Sequence, residues 1–306
     1  MSKILVSGLI NIETTLRVES FPLTYEPVRF PFFGINSTVS GVGYNVAKAL
    51  TTLGNDLDFL SIIGKDFAGE SVRRTLARDE ISDDYIISSM PTTAQSVIIY
   101  EHSGRRQIHT DLKDIQERKY PAELYEKALQ RCSIAILCNI NFNRPFLEQT
   151  VRANIPVATD VHTISDIEDA YNQDFMAAAH ILFLSDEHLP CSPEEFAGQL
   201  QDRYGTPIIV IGLGSQGALL ASQTDGTMDR YQAVNIRPIV NTIGAGDALF
   251  SSFMHTYLHT GDPYAAIQRG IVFASYKIGE SGAAEGFLTA GELDELTHTL
   301  RHDGSI

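Results

Sequence analysis

Short, continuous apolar runs recur along the chain, separated by stretches with helical periodicity. The runs are "KILVSGL", "LDFLSIIG", "SIAILCNI", "IPVATDV", "AHILFLS" and "TPIIVIGLG". A strand that is apolar at nearly every position is covered on both faces, as in a parallel sheet packed between helices. Between the runs, "GYNVAKALTTLG" predicts a helix ending at Gly54, and "AGESVRRTLARDE" predicts another. "SPEEFAGQLQDRYG" predicts a third, opened by Ser192, Pro193 and Glu195 in capping-box positions. The alternation predicts an α/β fold, a doubly wound and mainly parallel sheet.

Two regions break this rhythm. Residues 14–36 and 95–110 alternate like antiparallel strands with turns, the second as a hairpin at Ser103-Gly104. They predict a small antiparallel β lid outside the main sheet, formed by about residues 13–38 and 92–110. Nothing in the chain reads as a linker, low-complexity segment or internal repeat, so residues 1–306 are expected to form a single domain carrying that lid.

Composition narrows the partners. A chain of 306 residues with 43% apolar and 20% charged residues has the balance of a globular protein with a sizeable core. No apolar run approaches the roughly 20 residues of a membrane span, and the N-terminus shows no signal-peptide pattern. Cys132, Cys138 and Cys191 are odd in number and lack C-x-x-C spacing, so they read as buried, reduced thiols. Together these features lead to the expectation of a cytoplasmic protein. The formal net charge of −15 argues against nucleic acid and anionic membranes as partners. It leaves room for a bound nucleotide, because backbone N–H groups hold phosphate without a basic surface.

The stretch "NTIGAGDALFSSF" (residues 241–253) carries the most chemistry. Phe250, Phe253, Met254, Tyr257 and Leu258 follow at helical spacing, which puts Gly244, Ala245 and Gly246 at a helix N-terminus. Free amides and the helix dipole make such a start an anion site, and the small residues let a phosphoryl group approach closely. Asp247 beside it would repel a phosphate unless it takes a proton from an attacking hydroxyl. Taken alone, the same residues also fit a glycine turn with Asp247 as a helix cap. A second stretch, "SGVGYNVAKALTTLG", sets Gly41 and Gly43 before a helix with Asn45 in its first turn. Asn11 and Glu13 follow the first strand, at the carboxyl end where open α/β sheets bind ligands. Such polar groups suit a polyhydroxylated ligand, and each alone also fits ordinary turn or cap chemistry.

In combination these stretches resemble the signatures of the ribokinase-like (PfkB) carbohydrate kinases. "NTIGAGDALFSSF" is similar to the family's C-terminal D-T-x-G-A-G-D, and "SGVGYNVAKAL" to its N-terminal glycine signature. "GLINIE", "IIGKDFAGE" and "TPIIVIGLGSQGALL" fall in the family's order, so the resemblance runs from about Lys3 to Thr289. It implies an ATP-dependent kinase that phosphorylates a hydroxymethyl group of a sugar or nucleoside, with Mg²⁺ bridging the phosphates. Asp247 would be the general base, and the amides of Gly244, Ala245 and Gly246 the anion hole. Asn11, Glu13, Gly41, Asn45 and Asp247 would bind substrate, and Thr242, Gly214, Gly217 and Ser185 the nucleotide. A homodimer through the lid is a further implication.

Three departures bear on this. Asn241 stands where the signature has Asp, a position that in many relatives helps bind an activating monovalent cation. Potassium dependence is therefore left open. Glu13 stands where Asp is common, one methylene longer. The family's magnesium-associated N-x-x-E reads "SDEH", with Ser185 and His188 at its ends, so no residue is assigned to the metal. These changes keep alive an alternative: a catalytically impaired sugar or nucleoside sensor of the same fold.

Other patterns have plainer readings. "GLGSQG" fits G-x-G-x-x-G, yet "ALLASQTDGT" after it reads as a strand and turn, not the helix a dinucleotide site needs. His255 and His259 have metal-pair spacing but read as a solvated helix surface. Arg105 and Arg106 read as solvated residues of the hairpin tip, and the aromatics of "YEPVRFPFFGI" as lid packing or a stacking surface.

Overall fold

The computed structural model describes residues 3–102, 104–304 and 306. In chain order the strands are β1 (Lys3–Ser7), β2 (Asn11–Arg17), β3 (Ile35–Ser40), β4 (Leu57–Gly64), β5 (Ile86–Met90), β6 (Gln95–Tyr100) and β7 (Arg106–Asp111). They continue with β8 (Cys132–Leu137), β9 (Val157–Asp160), β10 (Ile181–Ser185), β11 (Ile208–Gly212), β12 (Ala218–Ser222) and β13 (Thr227–Tyr231). The helices are α1 (Val42–Thr52), α2 (Phe67–Arg78), α3 (Ala122–Leu129), α4 (Arg144–Arg152) and α5 (Gln173–Ala178). After these come α6 (Pro193–Tyr204), α7 (Ala245–Thr260), α8 (Pro263–Lys277) and α9 (Ala290–His302). No helix among the described residues is long and apolar enough to cross a membrane.

The large sheet runs β13-β12-β11-β10-β9-β8-β1-β4-β5 and is parallel from β11 to β5. Only the edge pairs β11–β12 and β12–β13 are antiparallel. The strand order reverses around β1, which has β4 on one side and β8 on the other. In open α/β sheets the carboxyl ends of the strands at such a switch point form the ligand crevice. The expected mainly parallel, doubly wound sheet is therefore present, with helices on both faces.

Alternation along each strand splits the core in two. Ile4, Val6, Phe183 and Val210 belong to one apolar cluster, while Leu5, Leu182, Leu184, Ile209 and Ile211 belong to the other. In the first, Phe183 meets Phe250 and Phe253 edge-on, with ring centroids 4.7 and 5.2 Å apart. That contact seats α7 on the sheet. α8 then packs closely on α7 at Gly270, where a Cβ would stand 3.1 Å from the Leu249 carbonyl oxygen.

The lid is a separate sheet in the order β3-β2-β6-β7. Its outer pairs, β2–β3 and β6–β7, are antiparallel as expected, but the central pair β2–β6 is parallel. Each half is a separate excursion, one after β1 and one after β5, and the two leave the main sheet side by side in the same direction. The expected alternation over residues 14–36 is also interrupted: residues 18–34 form neither strand nor helix. Pro22, Pro27 and Pro31 in this stretch lack the N–H that a sheet ladder needs. Gly104 takes φ +87° at the hairpin turn, and Ser103 lies outside the described residues. Asp66 anchors the lid's second half, accepting from the Thr93 amide at 2.9 Å and the Thr93 hydroxyl at 2.6 Å.

Candidate active site

Gly244 caps α7 with φ +75°, a conformation that disfavours other residues. A Cβ there would also fall 2.4 Å from the Ala283 carbonyl oxygen, whereas one at Gly246 would meet open space. The Ala245 amide is tied back to the Thr242 carbonyl at 3.2 Å. The Gly246 and Asp247 amides have no acceptor among the described residues. The helix start therefore offers free donors on a side where a phosphate has room.

Asp247, in the first turn of α7, belongs to a chain of hydrogen bonds crossing four elements, α7, α1, β3 and β2. Its Oδ2 accepts from Asn45 Nδ2 at 2.7 Å. The Ser40 hydroxyl at the end of β3 lies 3.3 Å from Asn45 Oδ1 and 3.0 Å from Glu13 Oε2. Residues 13, 40, 45 and 247 thus meet in one network, although 234 positions separate its ends (247 minus 13). Asn11 joins the same wall, donating to Ser96 Oγ at 3.1 Å. Asn11 Oδ1 and Glu13 Oε1 are buried without a partner among the described residues. Unpaired buried acceptors are costly, so these two atoms call for donors from outside the chain.

Glycine geometry explains how α1 reaches this place. A Cβ on Gly43 would stand 2.6 Å from the Gly8 carbonyl carbon, and one on Gly8 would meet Cys138 Sγ at 2.5 Å. Only bare backbone lets the start of α1 seat itself above β1 and β8. Gly41, at φ +104°, takes part in the same close approach, its Cβ position lying 2.7 Å from the Leu9 carbonyl oxygen.

Burial dominates the electrostatics. It pushes the Asp247 carboxyl above its ordinary pKa, as does nearby Asp160, while the Asn45 bond, His162 and Lys277 pull it back. Burial likewise raises Glu13, with the Ser40 bond opposing and the Asp247 charge adding. Lys277, at the end of α8, is fully buried and donates to the Ile243 carbonyl. Burial depresses it to about 8 although the carboxylates of Asp247, Glu13, Glu285 and Glu280 act the other way.

The residues expected to meet the nucleotide lie further along the same carboxyl edge. Ser185 ends β10 and pairs with Gly212 at the end of β11. Gly214 and Gly217 follow in left-handed conformations, at φ +56° and +94°, and a Cβ on Gly217 would sit 1.9 Å from the Tyr231 carbonyl oxygen. The chain then enters β12 rather than a helix, which removes the dinucleotide reading of "GLGSQG". Among the described residues no hydrogen bond joins Ser185, Gly214 or Gly217 to the Asp247 network.

Thr242 is tied to the lid instead: Arg106 Nη1 donates to its hydroxyl at 2.6 Å. Arg106 is therefore not the purely solvated turn residue expected. Arg105 lies 3.8 Å from Glu101 and over the Phe21 ring. His255 is half-buried and within 2.9 Å of the Asn55 amide, more enclosed than a solvated face would be. Among the described residues no group of three or more His, Cys, Asp or Glu is arranged to hold a metal.

Sequence reasoning missed Asp160, His162, Ser96 and Lys277. Asp160 carried a signal, as the polar end of the apolar run "IPVATDV". So did Lys277, the lone charge closing the apolar segment "GIVFASYK".

The profile of the pfkB family carbohydrate kinases matches residues 1–290. An acarbose 7(IV)-phosphotransferase from Actinoplanes sp. is 25% identical over 282 residues, spanning 89% of this chain and 91% of that protein. An ATP-dependent ribose-1-phosphate kinase from Halopiger xanaduensis is 24% identical, spanning 92% and 94%. The solved structure of a microbiome-derived acarbose kinase superposes with a TM-score of 0.88 at 24% identity, covering 97% of this chain and 99% of that one.

Proposed function

Because this chain belongs to the pfkB family of carbohydrate kinases, we propose that it is an ATP-dependent kinase acting on a hydroxymethyl group of a sugar or nucleoside. The hydroxyl lies between Asp247 and the terminal phosphate of ATP. Asp247 accepts its proton, the oxygen bonds to phosphorus, and the bond to the departing ADP breaks. The free amides of this turn, those of Gly244, Gly246 and Asp247 rather than the tied-back one of Ala245, receive the charge on the transferring phosphoryl, so positioning and electrostatics do most of the catalysis. Mg²⁺ accompanies ATP as part of that substrate, held chiefly by the phosphates and water, a common arrangement for this ion.

The observation that carries this reading is the network from Glu13 through Ser40 and Asn45 to Asp247, with two orphaned acceptors beside it. A sugar alcohol supplies donors to Asn11 Oδ1 and Glu13 Oε1 and leaves a hydroxyl for Asp247. The raised Asp247 carboxyl suits a base, since basicity grows with pKa while the Asn45 bond favours the anion. The net charge of −15 disfavours substrates that already carry phosphate. Exposed Phe30, Phe32 and Phe33 beside the lid offer a surface for a ring-bearing substrate. A second copy would pair through the outer face of the lid, where Ile35 and Val97 are exposed.

The test is a panel of free sugars, sugar phosphates and nucleosides with ATP consumption as the readout. Turnover of a free sugar or nucleoside is expected. Ligand-protected melting with no ATP consumption across the panel would instead indicate the sensor.

A further inference from the structure

Lys277 is a fully buried lysine, an arrangement rarely found in proteins unless the charge is paired. Its ammonium donates to the Ile243 carbonyl, on the peptide that leads into the Gly244 turn. It sits in the last turn of α8, where the helix dipole favours a cation. The same turn is gripped from the other side by Asn241. The Asn241 side-chain oxygen accepts from the Ile243 amide at 2.9 Å, and its Nδ2 donates to the Ser281 carbonyl at 2.6 Å. An aspartate at 241 could accept but not donate, so its carboxylate would face the Ser281 carbonyl and require a cation between them. Asparagine removes that requirement. Lys277 brings positive charge to the turn on a covalent tether.

We propose that Lys277 is a positioning residue that serves as a built-in cation: it holds the Ile243–Gly244 turn in place beside Asp247, so that turnover needs no dissociable monovalent cation. The proposal rests on the kinase reading of Asp247. The charges facing the ammonium are the carboxylates of Asp247, Glu13, Glu280 and Glu285. Because its pKa is pushed down to about 8, the ammonium loses its proton as the pH rises past that value. The grip on the turn then weakens, and kcat should fall as the pH rises through that value.

The experiment measures ATP turnover in buffers free of sodium, potassium and ammonium, with and without added potassium chloride. Wild-type kcat is expected to change by less than about twofold, and to show an alkaline limb near pH 8. K277M should lower kcat by about 100-fold, the scale of losing one preorganised charge contact. K277A should regain part of its rate with potassium, ammonium or methylammonium. K277R should stay active and move the alkaline limb upward, because a guanidinium does not titrate there. A purely structural lysine would lower the melting temperature of K277M while leaving kcat per folded molecule and the pH limb unchanged. That result overturns the proposal, as does about tenfold or greater potassium stimulation of the wild type. If K277M does not fold, the cation response of the wild type and the K277R pH profile still decide. No turnover by the wild type with any substrate of the panel, potassium present, would overturn the kinase reading itself.

Discussion

Two regions close on the turn at Thr242–Asp247, and they are held in opposite ways. The floor is made by α1, α7 and α8. There Asp247 is bonded to a buried Asn45, Lys277 is fully buried, and Phe253 locks α7 against Phe183 of the sheet. The roof is the lid. Every residue of β7 is exposed. Among the described residues the β6–β7 half of the sheet reaches the turn through the Arg106–Thr242 hydrogen bond and a small cluster of Ile98 with Ile243 and Ala283. Glu13 and Ser40 of the β2–β3 half instead join the floor's own network at Asn45. The contrast follows from what each part must do. Groups that exchange protons and stabilise charge need fixed geometry, while a cover over a water-sensitive transfer must admit and release ligands. Few buried contacts make local opening inexpensive, and the outer strand β7 has few.

The largest effect expected from the floor is chemical. Asp247→Asn keeps the size and the neighbours of the side chain but removes the base, so kcat should fall by about 1,000-fold. Nucleotide affinity, measured by calorimetry, should stay within about threefold because the amide donors are untouched. Unchanged kcat would remove Asp247 from the mechanism. Gly244→Ala attacks the same turn through the backbone. It forces a Cβ 2.4 Å from the Ala283 carbonyl oxygen at a positive φ, so stability and kcat should both drop.

Next comes packing. Phe253 is fully buried and meets Phe183 at 5.2 Å. Phe253→Ala should cost about 3–5 kcal/mol in denaturant unfolding. Ile98→Ala removes a residue that is 2% exposed, but from the small lid cluster rather than the main core. Its cost should lie near the lower end for such truncations, about 2 kcal/mol, and appear mainly as a raised KM. Equal costs for the two variants would mean that the lid is as firmly built as the floor.

The floor was far more legible in the sequence than the roof. Covered strands announce themselves as unbroken apolar runs, and the glycines at 41, 43, 244 and 246 marked where backbones come close. Those features single out Asn45 and Asp247 in the floor, and the end of the first apolar run points to Asn11 and Glu13 beside it. Lys277 escaped because a lysine at a helix end normally lies in water, and only tertiary packing buries this one. The parallel β2–β6 pairing escaped because alternation along a strand says which face it buries, not the direction of its neighbour. Over residues 14–36 the alternation predicts antiparallel strands with turns but not how long the turn is: Pro22, Pro27 and Pro31 deny the ladder its N–H groups, and all of 18–34 lies outside the strands.

Arg106 gives the smallest and most selective test of the contrast. Its guanidinium is exposed, so the bond to Thr242 contributes little to global stability, and Arg106→Ala should shift unfolding by under about 0.5 kcal/mol. If that bond latches the lid over bound nucleotide, losing it should raise KM for ATP by about three- to tenfold and leave kcat nearly unchanged. Thr242→Ala removes the partner hydroxyl and should give a similar KM. A double variant no worse than either single one would show that the two side chains act as a unit. Additive losses would mean that each meets the nucleotide separately, and the lid would then need another latch.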